Sequence, residues 1–259
     1  MKKLILVGAA ALLGASVANA DTILEYRNAK DGSIHTMMKV SNQRVLVNDQ
    51  NRSESMLYMQ QGDRMYIIDS SKREYSTLDE ETMKRLSGQV NDAMKQLEEQ
   101  LANMPEAQRE QMKKMMGGMM DMGKEMMKPE ITRTGRSGEF NGMACDFVKM
   151  KVGNMMNSEL CVAEMSALDM PGNDRATLDA MNAYMKKISD MMSESLGMNI
   201  PFNLIGGIPV YISDDETPEG RVLHIDDDAS ISGSEMSLPD GYREVPLEGK
   251  GGGMGGFGG

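Results

Sequence analysis

The stretch Met115-Met116-Gly117-Gly118-Met119-Met120-Asp121-Met122-Gly123-Lys124-Glu125-Met126-Met127 lies at the centre of a long helical pattern. Throughout residues 79–128, apolar residues recur at three- and four-residue steps, which is the spacing of one face of an α-helix. Strand-like sequence with short polar turns lies on both sides of this region. The sequence therefore predicts an α+β protein with a methionine-rich helical insertion at residues 79–128.

Two helical arms are expected within the insertion, because Pro105 interrupts the pattern. The apolar stripe of the first arm consists of Met83, Leu86, Val90, Met94, Leu97 and Leu101. The stripe of the second arm consists of Met112, Met115, Met119, Met122 and Met126. Gly117, Gly118 and Gly123 each weaken the second arm by about 1 kcal/mol relative to alanine. We therefore expect residues 105–128 to open locally more readily than the first arm.

Runs of alternating residues separated by polar turns predict an antiparallel meander before the insertion. Its six strands are expected at residues 22–29, 33–40, around Val45 and Val47, 54–60, 64–69, and around Tyr75 and Thr77. Later strands are expected at residues 130–136, 142–152, 157–162, 208–213, 221–227 and 229–235, with a loop marked by Gly135, Gly138 and Gly142. A short helical turn is expected at residues 163–170, and Asn173 or Asp174 is expected to cap a further helix. We expect the two strand regions to join into one sheet.

The first twenty residues have the pattern of a cleaved secretory signal. Lys2 and Lys3 precede an apolar run at residues 4–13, and Ala18-Asn19-Ala20 is a small-x-small cleavage site. The apolar run is shorter than the roughly 20 residues that span a bilayer. We therefore expect a soluble exported protein, most simply periplasmic. Residues 21–248 are expected to form a single domain, followed by a disordered glycine-rich tail at residues 249–259.

The composition argues against some classes of binding partner. The formal net charge of −11 at pH 7 argues against binding to nucleic acid or to an anionic lipid surface. The chain has 30 methionines, no tryptophan and only 4 phenylalanines. Methionine must therefore supply much of the apolar packing that larger side chains usually provide.

Two cysteines, Cys145 and Cys161, occur in this chain, and in an exported protein such a pair favours a disulfide. Each cysteine lies eight positions from Gly153, so a hairpin centred on that glycine places them directly opposite each other. A metal site or a redox pair is the alternative. The sequence has neither a CxxC spacing nor a histidine close to these cysteines.

Several segments of the chain resemble known exported proteins. Met56-Leu57-Tyr58, residues 62–69 and Lys72-Arg73-Glu74-Tyr75 resemble the strand–turn–strand pattern of the periplasmic lipoprotein-carrier (LolA-like) superfamily. A fuller similarity is to the exported bacterial family called domain of unknown function 4412. It includes the methionine-rich insertion, Glu159-Leu160-Cys161-Val162-Ala163 and Leu238-Pro239-Asp240-Gly241-Tyr242.

The resemblance covers most of the chain after the signal and implies a particular architecture. It implies a strongly curved antiparallel sheet, or half-barrel, whose concave face is covered by helices. In lipoprotein carriers that space receives acyl chains. This chain departs from those carriers in its long methionine-rich insertion, and the family supplies no catalytic residues.

A non-enzymatic binding or carrier role for a hydrophobic or amphipathic ligand is the function that we expect. The ligand classes are a lipid, an acyl chain or a lipoprotein. Methionine is unbranched and polarisable, so a methionine-rich surface can repack around varied apolar shapes. The residues expected to line the site are Met83, Leu86, Val90, Met94, Leu97, Met112, Met115, Met119 and Met122. The alternative is that these side chains only fill an irregular core.

Cu(I) binding is a second hypothesis, because thioethers are soft ligands and methionines three or four positions apart share a helix face. Met112/Met115, Met116/Met119 and Met122/Met126 have this spacing, without a histidine or cysteine among them. A structural or interaction role in the cell envelope is a third hypothesis.

Catalysis is not expected from this sequence. His35 and His224 are more simply sheet residues, and Asp214-Asp215-Glu216 and Asp226-Asp227-Asp228 are more simply solvated acids. There is no phosphate loop, nucleophile elbow or Cys–His pair. We therefore expect no cofactor and no resident metal.

Overall fold

The computed structural model describes residues 21–106, 108, 110, 129–153, 156–196 and 205–247. Its strands are β1 (Asp21–Asn28), β2 (Ile34–Ser41), β3 (Arg44–Asp49), β4 (Glu54–Met59), β5 (Arg64–Asp69), β6 (Glu74–Leu78), β7 (Pro129–Phe140), β8 (Met143–Val152), β9 (Met156–Ala163), β10 (Ile208–Asp214), β11 (Arg221–Ala229) and β12 (Arg243–Glu244). Its helices are α1 (Glu80–Ala102) and α2 (Gly172–Leu196), with a 3-10 turn at Met165–Ala167.

All twelve strands belong to one open sheet in the order β12-β6-β5-β4-β3-β2-β1-β11-β10-β9-β8-β7. Neighbouring strands are antiparallel, except that β12 runs parallel to β6. The predicted union of the two strand regions in one sheet is therefore confirmed. The six meander strands also lie where the alternation predicts them.

One face of the meander forms the core with the helices. Across neighbouring strands, Val40 pairs with Val45, Val45 with Tyr58, and Tyr58 with Met65. All four side chains are buried, and they belong to one cluster with residues of both helices. Directly paired residues of a sheet share a face, so both helices lie on this side.

The segment after β11, residues 230–247, contacts the opposite face at Arg44 and Lys39, and we call it the C-terminal strap. Leu57 points to this face, since its neighbours point to the helices, and it is fully buried. Arg44 donates from Nη1 to the carbonyl oxygen of Met236 over 2.7 Å, which places the strap on this face. The strand predicted at residues 229–235 is wrong, because the chain turns at Ser232–Glu235 instead of pairing.

The loop predicted around Gly135, Gly138 and Gly142 is also wrong. Strand β7 continues to Phe140, and only Gly142 lies in the following turn. The pairing of β7 with β8 shifts register between Arg133 and Ser137, and Gly135 has a φ of +72° within that bulge. Glycine adopts this backbone conformation without steric cost, so it marks a bulge here and not the end of the strand.

The disulfide between Cys145 and Cys161 is present, with the two Cα atoms 5.3 Å apart. The predicted register is wrong, because Cys161 pairs with Phe147 and the hairpin is centred one position beyond Gly153. The cysteines are therefore diagonal neighbours across β8 and β9. Strand twist brings one set of diagonal neighbours close enough for the bond.

The tip of the β7–β8 hairpin bends back over the sheet. Asn141 in the hairpin turn donates from Nδ2 to the carbonyl oxygen of Leu223 on β11 over 2.7 Å, although β9 and β10 lie between these strands. Phe140 stacks on Tyr211 of β10, with the ring centroids 4.5 Å apart. This end of the sheet is therefore curved.

Residues 79–128 connect strands that lie near opposite ends of the sheet. Ten strand steps separate β6 from β7, which corresponds to about 48 Å along a sheet. Helix α1, with 23 residues, is about 35 Å long. The connection from β6 to β7 must therefore pass from one end of the sheet to the other. Within the described residues, no helix is both long enough and apolar enough to cross a membrane.

Candidate functional site

Helix α2 is fixed to the meander at two points of its buried face. Near its first turn, the carboxylate of Asp174 accepts a buried hydrogen bond of 2.7 Å from the hydroxyl of Thr22 on β1. Burial raises the pKa of Asp174, and the bond from Thr22 opposes this rise. Further along, the hydroxyl of Tyr184 donates to the carbonyl oxygen of Leu78 over 2.5 Å. The helix begins at Gly172, so Asp174 binds the sheet instead of serving as the predicted cap.

Replacing Tyr184 by phenylalanine is expected to lower the free energy of unfolding by about 1–2 kcal/mol. The substitution keeps the ring contact with Tyr58, whose centroid lies 5.5 Å away, but leaves the carbonyl of Leu78 without its buried donor. Chemical denaturation of the variant and the wild type measures the difference. An unchanged denaturation midpoint would show that this bond does not hold α2 on the sheet.

Methionine is the most frequent residue type in the described core cluster, where it packs together with leucine, valine, isoleucine and tyrosine. We call these methionine side chains the methionine layer. Its buried members are Met65, Met83, Met143 and Met170, and its partly buried members are Met38, Met56, Met165, Met181, Met185 and Met191. Because these side chains have three flexible torsions and no branch, they can fill one shape and then another at small energetic cost.

Only part of the α1 stripe packs on this layer. Asp79 caps the helix by accepting from the backbone N–H of Thr82 over 2.8 Å. Met83 is 3% exposed, Leu86 is partly buried against the core, and Val90 is 40% exposed. The stripe is therefore buried at Met83, exposed at Val90 and buried again at Leu101, which is 4% exposed.

The structure places the predicted ligand-site residues in three groups. Met83 and Leu86 contact the core, whereas Val90 and the half-buried Leu97 lie further along α1. The side chain of Met94 and residues Met112, Met115, Met119 and Met122 lie outside the described residues, as do the copper-spaced pairs, the signal segment and the glycine-rich tail. The ligand-binding role of these residues stays a prediction.

A polar cleft of about 240 Å³ lies where the β4–β5 turn meets the two helices. Its lining consists of Gly62, Asp63, Arg64, Asp79, Glu80, Glu81, Tyr184, Lys187 and Ile188. Hydrogen bonds from Lys84 and from Lys187 lower the pKa of Glu80 to about 2. Charged walls of both signs suit water and small polar molecules, not an acyl chain.

A buried charged group lies between β2, β10 and β11. We call Arg221, Asp214 and His35 the Arg221 cluster. The side chain of Arg221 is 4% exposed, and its Nη2 forms an ion pair with Asp214, whose side chain is 12% exposed. Nη1 of Arg221 lies 3.1 Å from Nε2 of His35. Its Nε is buried and has no hydrogen-bond partner among the described residues.

The sequence interpretation missed this cluster, and it described Asp214 wrongly as a solvated edge acid. A signal was available in the alternation of β11. Leu223 and Ile225 pack in the core, and Arg221 stands two positions earlier on the same face. Arg221 also pairs with Ile212 of β10, which places Asp214 close by. The alternation therefore implied a buried arginine that needed an acid.

The described residues contain no group of three or more histidine, cysteine, aspartate or glutamate side chains that could hold a metal ion. His35 is half-buried on β2 with its ring beside a guanidinium. A base must reach the proton that it takes from a substrate, and this ring already faces an arginine N–H.

Comparisons with known proteins give little further information. No family model and no curated protein matches this chain. Two solved structures of PNGF-II, in space groups C2 and P21, are similar with a TM-score of 0.40 and 9% identity. The alignments cover 88% and 87% of this chain, respectively, and 31% of each PNGF-II chain. This degree of similarity carries no argument about fold or function.

Proposed function

We propose that this protein is a non-enzymatic carrier or binding protein for a hydrophobic or amphipathic ligand, such as a lipid, an acyl chain or a lipoprotein. The ligand lies in the methionine layer, between the sheet and the helices. The observation that carries this proposal is the composition of that layer, where methionines from the sheet and both helices meet. A core that only had to be stable would gain from branched and aromatic side chains with fewer flexible torsions.

Helix α1 supplies the cover of the proposed site. Its apolar face contacts the core at Leu86 and exposes Val90, so part of the surface suited to a ligand is already accessible. The ligand fills the methionine layer and continues along this face.

The proposal includes an architecture, a family and a compartment. The curved β7–β8 end of the sheet and the helices on one face support a half-barrel whose concave side is covered. The strand–turn motifs support membership of the LolA-like superfamily and of domain of unknown function 4412. The signal pattern and the disulfide support a periplasmic location.

Replacing Val90 by aspartate is expected to weaken binding of lysophosphatidylcholine about tenfold or more. Burial of a valine side chain contributes about 1.5 kcal/mol or more, which corresponds to roughly a tenfold change in affinity. The folded protein should tolerate this change, because the side chain is 40% exposed. Calorimetric titration below the critical micelle concentration measures the affinity, and Asn91→Asp on the adjacent exposed position is the matched control.

The control variant should bind like the wild type. Equal affinity of the wild type and both variants for lysophosphatidylcholine would show that the α1 face is not part of the ligand-binding site. Absence of binding by the wild type to lysophosphatidylcholine, to a long-chain fatty acid and to an acylated peptide would contradict the carrier proposal itself.

A further inference from the structure

The pairing between β10 and β11 is short. It consists of the residue pairs Tyr211–Val222 and Ile212–Arg221. Beyond these pairs the two strands separate, and β10 continues beside β9 while β11 continues beside β1. We call this boundary the seam, because it divides the sheet into a block of eight strands and a block of four.

Side chains, and not a backbone ladder, close the open part of the seam. The hydroxyl of Tyr26 on β1 donates to the carbonyl oxygen of Pro209 on β10 over 2.8 Å. Asn141, in the turn of the β7–β8 hairpin, also crosses the seam by donating to the carbonyl oxygen of Leu223 on β11. Both carbonyls lie where a longer β10–β11 ladder would run. The seam therefore depends on a few side-chain contacts.

The Arg221 cluster clamps the paired end of the seam. Arg221 belongs to β11, its carboxylate partner Asp214 belongs to β10, and His35 belongs to β2. The oxygen Oδ1 of Asp214 also accepts from the backbone N–H of Thr217 over 2.7 Å, so the clamp is tied to the β10–β11 turn. A buried guanidinium is stable only while its partners compensate for its lost hydration.

His35 must be neutral in this arrangement. Nη1 of Arg221 lies 3.1 Å from Nε2 and 3.4 Å from Nδ1 of the ring, so a protonated imidazole would place a second positive charge directly against the guanidinium. The charged groups that face His35 are Arg221 on β11, Asp214 on β10, Glu216 in the next turn, and Asp49 on β3, which itself pairs with Arg52. Burial and then Arg221 lower the pKa of His35, and the three carboxylates do not reverse that shift.

We propose that His35 is a pH-sensitive latch on the seam, which keeps the Arg221–Asp214 clamp closed at neutral pH and releases it on protonation. Protonation places a second positive charge about 3 Å from the guanidinium in a partly dehydrated site. Either the imidazolium leaves the cluster or Arg221 does. In both cases Arg221 loses a partner, and β10 and β11 can separate.

The direction of the pH dependence follows from the pKa shift. In the closed protein the pKa of His35 lies below its ordinary value of 6.5, whereas in an opened seam the ring is hydrated and regains that value. The opened state therefore binds the proton more tightly. The latch is fully effective above about pH 6.5 and weakens as the pH falls below that value.

Hydrogen exchange followed by mass spectrometry tests the latch in the complete exported protein. We compare pH 7.5 with pH 5.0, after correction for intrinsic exchange rates, in the wild type, His35→Gln and His224→Gln. Glutamine stays neutral at both pH values, and His224 is the second histidine of the chain and serves as the matched control. Strands β4 and β5, remote from the seam in the sheet order, are the internal reference.

Residues 208–214 and 221–225 should lose protection on the order of tenfold on acidification in the wild type and in His224→Gln, while β4 and β5 keep theirs. His35→Gln should keep its protection at both pH values. Equal pH dependence in His35→Gln and the wild type, or a loss spread evenly over the sheet, would overturn the latch. If the backbone amides of His35→Gln already lack protection at pH 7.5, an NMR titration of the two histidines of the wild type tests the latch instead. A pKa of His35 at or above 6.5 in that titration would overturn the latch.

Discussion

Replacing Asp214 by asparagine is expected to lower the free energy of unfolding by about 3 kcal/mol. The variant keeps an amide oxygen that can accept from Thr217, but it removes the negative charge that faces the buried guanidinium of Arg221. Breaking one partner of a buried ion pair commonly costs about 3–5 kcal/mol, because an uncompensated charge remains in the interior. Urea denaturation at pH 7.5 measures the loss.

The chain offers a matched control for this variant. Asp215→Asn removes the same charge from the next, exposed position and should change stability by less than about 0.5 kcal/mol. The double variant Asp214→Leu with Arg221→Met should recover most of the loss, since it removes both charges. If Asp214→Asn is as stable as Asp215→Asn, Arg221 does not depend on this carboxylate.

Removing the disulfide through the double variant Cys145→Ala and Cys161→Ala is expected to cost about 3 kcal/mol. In the chain-entropy model, a bond that closes a loop of this size restricts the unfolded chain by about that amount. The two side chains are also buried, beside Phe147 and in the same core as the methionine layer. Denaturation of the oxidised wild type and the variant, without reductant, gives the difference.

Two control measurements separate the bond from the packing. A reductant should lower the stability of the wild type and leave that of the double variant unchanged. Thiol labelling of the denatured wild type without reductant should find no free thiol. Two labelled thiols, or equal sensitivity of both proteins to reductant, would contradict the structural role of this bond.

The sequence predicted those elements whose pattern is local. The alternation of β1 to β6 and the three- to four-residue steps of α1 are visible along the chain, so these elements lie where the patterns place them. The loop predicted from the glycines of β7 is wrong because Gly135 permits a bulge within a strand as readily as it permits a loop. The hairpin register of the cysteines depends on turn geometry, which a symmetric count from Gly153 cannot represent.

The candidate site was less predictable because it depends on contacts between distant segments. Met83 and Val90 belong to the same stripe, yet Met83 is 3% exposed and Val90 is 40% exposed, and periodicity alone cannot distinguish the two. His35 and Arg221 are 186 positions apart in the chain. The C-terminal strap has no regular pattern, so its position could not be read from periodicity.

Native mass spectrometry of the protein purified from the cells that produce it tests the carrier proposal most directly. We expect a fraction of the molecules to carry an additional mass, which dissociates as a lipid, a fatty acid or another acylated compound after gentle activation. Denaturing conditions should release the same compound for identification. Protein that carries no additional mass after mild purification, or only the mass of a copper ion, would contradict the account.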